Sequence, residues 1–246
     1  MTDPAPGGAP SLSVVVFAWN EEENVAAVLA ELRSWLEAHE PEAEVIFVDD
    51  GSHDDTSGAA RRALEGFPFQ LLRHERNRGI GAAIKTGVAA ARGTWVTFLP
   101  CDGQIPPAAI GTLRSAARRG DVDVVLSVYD HRDDGLHRTI FSLGVRALIL
   151  LVHGVRLRSD GPYLFQRVLF LPEQLPPDTF FLNFEFPIRA VAAGLRVCTV
   201  VVECRPRRAG QSKSAALSKI VGVGRDLVGL RFRRSREALG RARGLG

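Results

Sequence analysis

The sequence predicts an α/β fold in which helices flank a mainly parallel central sheet. Short apolar runs rich in β-branched residues alternate with segments of helical spacing through the first half of the chain. One of these runs, Val45-Ile46-Phe47-Val48, is apolar without interruption, which is typical of a parallel strand buried on both faces. The chain has 246 residues and is therefore long enough to bury such a sheet in one large domain.

Strands are predicted where a short run is rich in Val, Ile, Thr and aromatic residues. The predicted strands are residues 12–17, 45–50, 67–72, 94–99, 122–128 and 196–204, and residues 163–170 are predicted as a strand or a turn. Helices are predicted where apolar residues recur every three or four positions. The predicted helices are residues 21–38, 55–64, 107–118, 138–152 and 184–193, with a further helix that follows Gly81 and runs through Ala91.

The chain is expected to divide into a leader, one domain and a tail. Residues 1–10, rich in Pro, Gly and Ala, are expected to be a flexible leader, residues 11–213 the domain, and residues 214–246 a basic amphipathic helical segment. No apolar run approaches the ~20 residues of a membrane-spanning helix, so the chain is not expected to cross a bilayer by itself. Cys101, Cys198 and Cys204 form neither a disulfide framework nor a metal-binding pattern, which favours the reducing cytoplasm.

The excess of positive charge is concentrated in the tail of the chain. After residue 204, Arg and Lys outnumber Asp and Glu severalfold, while Ile220, Val223, Leu227 and Leu230 recur at helical spacing. A basic amphipathic helix of this kind can lie on an anionic membrane surface. The apolar segment 140–152 is expected to be either a second shallow anchor or a core helix. A solvated helix end and a nucleic-acid-binding segment are the other interpretations of the tail, but no recognisable nucleic-acid motif supports the latter.

Two common nucleotide-binding motifs are absent. Gly79 and Gly81 begin a Gly-x-Gly-x-x-Gly pattern, but its third glycine falls on Ile84, so a dinucleotide-binding fingerprint is excluded. Lys85 lacks the glycine-rich loop that precedes the lysine of a phosphate-binding Walker sequence.

Three polar pairs follow predicted strands. Parallel strands place their carboxyl ends along one edge of a sheet, which is where ligands of open α/β folds bind. Carboxylate and amide oxygens at such an edge suit Mg²⁺ or Mn²⁺, and the cation in turn suits a diphosphate. Three unrelated helix caps are the alternative. The pairs are Asn20 with Glu22, Asp49 with Asp50, and Asp102 with Gln104.

Five segments between about residues 12 and 213 form an ordered series of motifs. The first four are Phe17-Ala18-Trp19-Asn20-Glu21-Glu22-Glu23-Asn24, Val48-Asp49-Asp50-Gly51-Ser52 with Asp55-Thr56, Asn77-Arg78-Gly79-Ile80-Gly81-Ala82-Ala83 with Gly87, and Asp102-Gly103-Gln104 with Pro106-Pro107. The fifth is Arg207-Arg208-Ala209-Gly210-Gln211-Ser212-Lys213. In this order the segments resemble motifs of inverting family 2 glycosyltransferases, and the fifth is similar to a motif of the dolichol- or polyprenyl-phosphate sugar transferases.

The resemblance implies a GT-A fold, a nucleoside-diphosphate sugar as donor, and Mg²⁺ or Mn²⁺ as cofactor. It assigns Asp102 and Gln104 to the metal, and Arg207, Ser212 and Lys213 to phosphates of donor or acceptor. The residues assigned catalytic roles are Asp102, Arg207, Lys213 and Glu185, the last as the nearby carboxylate before Arg189. The residues implied to bind the nucleotide sugar are Ala18, Asn20, Glu22, Asp49, Asp50, Gly51, Ser52, Asn77, Gly81 and Lys85.

The first hypothesis is an enzyme that transfers a sugar to polyprenyl phosphate at the cytoplasmic face of the membrane. The protein is expected to associate peripherally with that membrane and to bind no nucleic acid. A phosphate acceptor is already ionised at neutral pH and needs no strong general base. The sequence departs from the family at Pro100, where the first acid of the Asp-x-Asp motif would stand, at Asn183, and at residues 159–163. The alternatives are therefore a transferase acting on a soluble saccharide or small molecule, and a non-catalytic nucleotide-sugar-binding protein.

Overall fold

The computed structural model describes residues 10–130, 136–172, 175, 178, 181–206 and 224–234, and for residues 136–143 it describes the backbone alone. Within these residues, seven strands form one sheet in the order β3-β2-β1-β4-β6-β5-β7. The strands are β1 Leu12–Ala18, β2 Glu44–Asp49, β3 Phe69–Arg73, β4 Trp95–Pro100, β5 Val124–Tyr129, β6 Leu164–Gln166 and β7 Val197–Val202.

Helices connect the strands and cover both faces of the sheet. The helices are α1 Glu22–His39, α2 Thr56–Ala63, α3 Ile80–Ala90, α4 Ala108–Arg119, α5 Leu136–His153 and α6 Leu182–Ala192, followed by a tail helix at residues 224–234. The predicted α/β alternation is therefore confirmed.

The sheet is parallel except at β6. β1 pairs in parallel with β2 and β4, β2 with β3, and β5 with β7, whereas β6 runs antiparallel to both β4 and β5. The segment predicted as a strand or a turn at residues 163–170 contains both β6 and a 3₁₀ helix, Arg167–Leu169. The short reversed strand therefore links the two parallel halves of the sheet.

Two apolar layers sandwich the sheet because successive residues of a strand point to opposite faces. Val14 and Val16 pack with the residues of α1, α2 and α4, whereas Val15 packs with those of α3, α5 and α6. The second layer also contains Leu227 and Leu230 of the tail helix, both fully buried. Among the described helices, none has the length and apolarity to cross a bilayer.

Candidate active site

The carboxyl ends of β1, β2 and β4 lie side by side. Ala18 is opposite Asp49, and Phe17 is opposite Pro100. The ladder extends one residue further on each side, because Asp50 N–H donates to the Ala18 carbonyl at 2.8 Å and Cys101 N–H donates to the Phe17 carbonyl at 3.0 Å. The three predicted polar pairs are thus brought to one edge of the sheet.

The loop after β1 is bonded to the loop after β2 through Asn20. Asn20 has a φ of 52°, a left-handed conformation that Asn adopts more readily than most residues. Its N–H donates to Ser52 Oγ at 2.9 Å, and its side-chain Oδ1 accepts the His53 N–H at 2.8 Å. Asn20 and Ser52 therefore join the two loops.

Glu22 and Asp54 reinforce the same junction. Glu22 N–H donates to Asp54 Oδ2 at 3.2 Å, and Asp55 N–H donates to Glu22 Oε2 at 3.1 Å. Burial alone would raise the pKa of Asp54, but hydrogen bonds from Thr56 and from the backbone outweigh burial and lower this pKa. Asp54 is therefore ionised at neutral pH, and Glu22 acts at least as a loop-joining residue.

Asp49 and Asp50 are neighbours with different surroundings. Asp49 is fully buried; it accepts the Ser52 N–H at 2.8 Å and the Ser57 hydroxyl, and it lies 3.5 Å from the Arg73 guanidinium. Both Asp49 carboxylate oxygens are used inside the protein, and the expected contact of Asp49 with the nucleotide stays a prediction. Its side chain closes the turn after β2.

Asp50 holds the loop between β3 and α3. Its Oδ2 accepts the Gly79 N–H at 2.8 Å, and its Oδ1 accepts the Arg78 N–H at 2.9 Å. His74 Nδ1 donates to Oδ1 at 2.6 Å, while His74 Nε2 pairs with the Thr86 hydroxyl at 2.9 Å. Sequence reasoning missed His74 and Thr86, although His74 directly follows a strand and obeys the same strand-end rule.

Gly51 allows this loop to approach. Its φ is 74°, and a Cβ at this position would lie 2.3 Å from the backbone carbonyl carbon of Arg76. Any larger residue would therefore push residues 74–79 away from the end of β2. Gly51 contributes through its lack of a side chain, and it sets the distance between two loops of the site.

An open cavity of about 360 Å³ lies along this loop. It is basic, since three of its lining side chains are arginines, and sequence reasoning did not single them out. A cavity of this charge favours an anionic ligand. The lining residues are Arg73, His74, Glu75, Arg76 and Arg78.

The start of α3 is covered by Asp178. Asp178 Oδ1 accepts a hydrogen bond from Lys85 Nζ at 2.6 Å, and its other oxygen lies 3.6 Å from the Arg78 guanidinium. Gly79 has a φ of 92°, and a Cβ there would come within 3.0 Å of the Asp178 carbonyl oxygen. Asn77 is exposed at the rim and Gly81 is buried in the helix. Lys85 thus already has an acidic partner, which a nucleotide phosphate would have to replace.

Asp102 and Gln104 lie just beyond β4. Asp102 is largely buried, and its Oδ1 accepts the Gln104 N–H at 3.1 Å. Burial raises the pKa of the neighbouring Cys101 thiol, and the negative charges of Glu21 and Asp102 raise it further. Two carboxylates therefore act on the same buried thiol, so negative charge accumulates where a cation is expected.

The possible metal-ligating side chains at this edge suit a metal ion that is also bound by a substrate. Among the described residues, no group of three or more His, Cys, Asp or Glu side chains could hold a metal by itself. Mg²⁺ in phosphate-transferring sites is commonly held by one or two carboxylates, several waters and the substrate phosphates. Asp102, with Gln104 beside it, fits that role, and Pro100 removes a second carboxylate.

Glu185 lies in the first turn of α6. It is fully buried in α6 and pairs with Arg189 Nε at 3.0 Å and with Arg233 Nη2 of the tail helix at 2.9 Å. Both of its carboxylate oxygens pair with arginines, and the expected catalytic role of Glu185 stays a prediction. Glu185 fastens the tail helix to the domain.

The predicted phosphate-binding residues Arg207, Ser212 and Lys213 lie outside the described residues. The described chain before them passes beside the loop that carries Asp102 and Gln104, since Arg205 N–H donates to the Gln104 carbonyl at 2.7 Å. Arg205 also pairs with Glu31 of α1 at 2.7 Å, and this contact raises the pKa of the Arg205 guanidinium.

The tail helix packs on the protein with its apolar side. Leu227 and Leu230 are buried in the core, so neither side chain is available to a membrane surface in this structure. His153 of α5 donates from Nε2 to the Leu227 carbonyl at 3.0 Å, and its Nδ1 accepts from Arg234 Nη1 at 3.4 Å. Ile220 and Val223 lie outside the described residues.

His153 is expected to make the stability of the folded protein depend on pH. Burial lowers the pKa of His153, the hydrogen bond to Leu227 opposes that shift, and the charges of Arg234 and Arg231 lower the pKa further. The unfolded protein therefore binds the proton more readily, and stability falls as the pH drops below about 6.5. Urea unfolding at pH 7.5 and 5.5 should show this loss. H153Q keeps a donor for the Leu227 carbonyl and should show a smaller loss; an equal loss would contradict the assignment.

The fold and the polar edge together define a GT-A-type protein. A crystal structure of glucosyl-3-phosphoglycerate synthase from Mycobacterium tuberculosis, in complex with Mn²⁺, uridine diphosphate and phosphoglyceric acid, has the same fold. It superimposes with a TM-score of 0.68 at 20% sequence identity, over 90% of this chain and 77% of that one. The family model of glycosyl transferase family 2 matches residues 13–186. The chain belongs to this family.

Two curated relatives are similar in sequence. Dodecaprenyl-phosphate galacturonate synthase of Rhizobium johnstonii is 33% identical over 153 residues, covering 61% of this chain and 45% of that protein. Undecaprenyl-phosphate 4-deoxy-4-formamido-L-arabinose transferase of Aeromonas hydrophila is 34% identical over 152 residues, covering 61% of this chain and 46% of that protein. These alignments span about half the length of each relative.

Proposed function

We propose that this chain is an inverting glycosyltransferase that moves a sugar from a nucleoside-diphosphate sugar to a polyprenyl phosphate. The observation that carries the proposal is the meeting of the ends of β1, β2 and β4, which brings Asn20, Asp50 and Asp102 to one edge of the sheet. The names of the two curated relatives support the acceptor class, since both refer to a polyprenyl phosphate.

The nucleotide is proposed to bind in the basic cavity beside residues 73–78. Asp50 would act there by holding the Arg78 and Gly79 amides in place, because its oxygens already accept from both. The arginines of the cavity would attract the diphosphate and orient it towards Asp102. Binding outside the carboxyl ends of parallel strands is the usual position in open α/β sheets.

Asp102 and Gln104 are proposed to hold Mg²⁺ or Mn²⁺ on the diphosphate. When bound, the cation would neutralise the charge that develops on the diphosphate as it leaves. Arg207, Ser212 and Lys213 are proposed to contact phosphates of the donor or the acceptor, a role that suits the charge of the two basic residues.

The transfer would exchange one bond for another at the anomeric carbon. An oxygen of the acceptor phosphate forms a bond to that carbon as the bond to the nucleoside diphosphate breaks, and the configuration inverts. The leaving electron pair stays on the nucleoside diphosphate. The acceptor oxygen is already ionised at neutral pH, so no side chain has to remove a proton.

The proposed location is the cytoplasmic face of the membrane, with peripheral association. A polyprenyl phosphate keeps its chain in the bilayer and its phosphate at the surface, so an enzyme acting on it has to reach that surface. The basic composition of the tail supports this, because arginines close to an anionic surface are attracted to it.

The proposal is tested with D102N in the full chain. Nucleotide affinity is measured by thermal shift with and without Mn²⁺, and turnover is measured with a polyprenyl phosphate. We expect the Mn²⁺-dependent gain in affinity to fall at least about tenfold, since even an outer partner of a bound metal is worth roughly 10- to 100-fold. D121N is the control, because Asp121 is highly exposed and precedes β5 at the other edge of the sheet.

Three outcomes would contradict parts of the proposal. Unchanged Mn²⁺-dependent binding in D102N would remove Asp102 from the metal site. Turnover with a saccharide or small phosphorylated acceptor, but not with polyprenyl phosphate, would replace the acceptor class. Nucleotide-sugar binding without transfer to any acceptor would favour a non-catalytic protein. This alternative is tested because Pro100 replaces the first acid of the Asp-x-Asp motif.

A further inference from the structure

Large apolar side chains are exposed at the end of α5 and on the outer side of the tail helix. Leu151 is 82% exposed and Phe232 is 66% exposed, with Leu150 and Val228 nearly half exposed. Isolated exposed apolar residues are common, but a concentration of large ones marks a binding surface.

The two helices that carry these side chains are in contact. Leu227 and Leu230 belong to the same buried cluster as Ile149, and His153 is bonded to both the Leu227 carbonyl and Arg234. Leu150 lies one turn before His153, and Val228 directly follows Leu227. The inward sides are therefore packed together, and Leu150 and Val228 directly follow residues of that contact.

Arginines flank the apolar side chains. Arg225, Val228 and Phe232 recur at helical spacing, so they share the outer side of the tail helix. The Arg225 side chain is 82% exposed, and Arg231 is also exposed. The surface thus combines apolar side chains with positive charge, the combination that binds an anionic lipid surface.

We propose that this docking face, formed by Leu150, Leu151, Val228 and Phe232 with Arg225 and Arg231, binds an anionic membrane surface. This proposal rests on the proposed function, because the docking face would bring the site to a lipid acceptor. A second copy of the chain is disfavoured as the occupant, because two such faces would bring arginines together. A polyanion without an apolar phase would leave Leu151 and Phe232 in water.

Removal of the whole tail is a poor test, because it would also uncover the core around Leu227 and Leu230. The sharper variant is L151S/F232S in the full chain. The matched control is V168S/V201S, since Val168 is 69% exposed and Val201 is 58% exposed on other elements. Thermal midpoints of both variants should stay near that of the unmodified chain, because the four side chains are at the surface.

Co-sedimentation uses vesicles of phosphatidylcholine with and without phosphatidylglycerol, and no nucleotide. We expect L151S/F232S to lose at least tenfold in partitioning to anionic vesicles and V168S/V201S to lose less than twofold. R225Q/R231Q should lose about fivefold per arginine at low salt and less at high salt, since each arginine near such a surface contributes about 1 kcal/mol.

Equal binding of L151S/F232S and the unmodified chain would overturn the proposal, as would an equal loss in V168S/V201S. A dimer that L151S/F232S disperses, with no vesicle binding in any variant, would identify a second copy as the occupant instead. Because vesicle binding is measured without substrate, its failure leaves the result for D102N intact. The failure of D102N likewise leaves the vesicle result intact.

Discussion

E185A is expected to destabilise the folded protein by about 3 to 5 kcal/mol, the usual effect of removing one partner of a buried ion pair. Glu185 is fully buried and pairs with Arg189 and Arg233, so alanine would remove a buried carboxylate from both ion pairs. Urea unfolding at neutral pH measures the change. The thermal midpoint should fall by roughly 10 °C, given about 2 to 4 °C per kcal/mol in a domain of this size.

The control for this prediction is E37A. Glu37 forms an ion pair of the same i, i+4 spacing with Arg33, but its side chain is half exposed, so its loss should change the free energy of unfolding by less than about 1 kcal/mol. R233A should reproduce much of the E185A effect. If E185A instead keeps the stability of the unmodified chain but loses turnover, the result would support a catalytic role for Glu185.

The strand ends could be predicted from the sequence because they depend on local pattern. An uninterrupted apolar run such as Val45–Val48 indicates a central parallel strand, and the polar residue that follows it must lie at the carboxyl edge. The register of β1 with β2 and β4 then brings the polar pairs together without further information. This is why the meeting of these polar residues at one edge of the sheet could be predicted from residue pattern alone.

The roles of neighbouring carboxylates could not be predicted in the same way. Asp49 and Asp50 are adjacent in sequence, and their partners lie on different loops: Ser52 and Ser57 for Asp49, and His74, Arg78 and Gly79 for Asp50. Which carboxylate faces which loop depends on how the turn at Gly51 packs against Arg76. A sequence motif identifies the pair Asp49 and Asp50, but it does not show which structural role each carboxylate has.

The tail shows a second limit of sequence patterns. Helical spacing of Leu227 and Leu230 indicates an apolar face, but the same face can meet lipid or the core of its own domain. The choice depends on contacts distant in sequence, such as Arg233 with Glu185 and His153 with Leu227. The outward residues Val228 and Phe232 are left exposed only because the inward ones are already packed.

D50A is expected to have the second large effect, on both stability and nucleotide binding. It would leave the Arg78 and Gly79 amides and His74 Nδ1 without their acceptor. An unpaired buried polar group costs about 1 to 3 kcal/mol, so the summed loss is about 3 to 6 kcal/mol, reduced where water reaches the amides. Residues 74–79 should lose their fixed position, and nucleotide affinity should fall roughly 100-fold, equivalent to about 2.7 kcal/mol.

Two measurements separate this loop effect from general unfolding. Hydrogen exchange at the Arg78 and Gly79 amides should accelerate in D50A, while exchange in β1 and β2 should change less. D55A is the control on the same β2–α2 loop, because the Asp55 side chain pairs with the exposed Arg62 and not with residues 74–79. If D50A keeps slow exchange at both amides but loses nucleotide affinity, Asp50 contacts the nucleotide directly. In that case its hydrogen bonds to the loop are secondary, because the loop would hold its position without them.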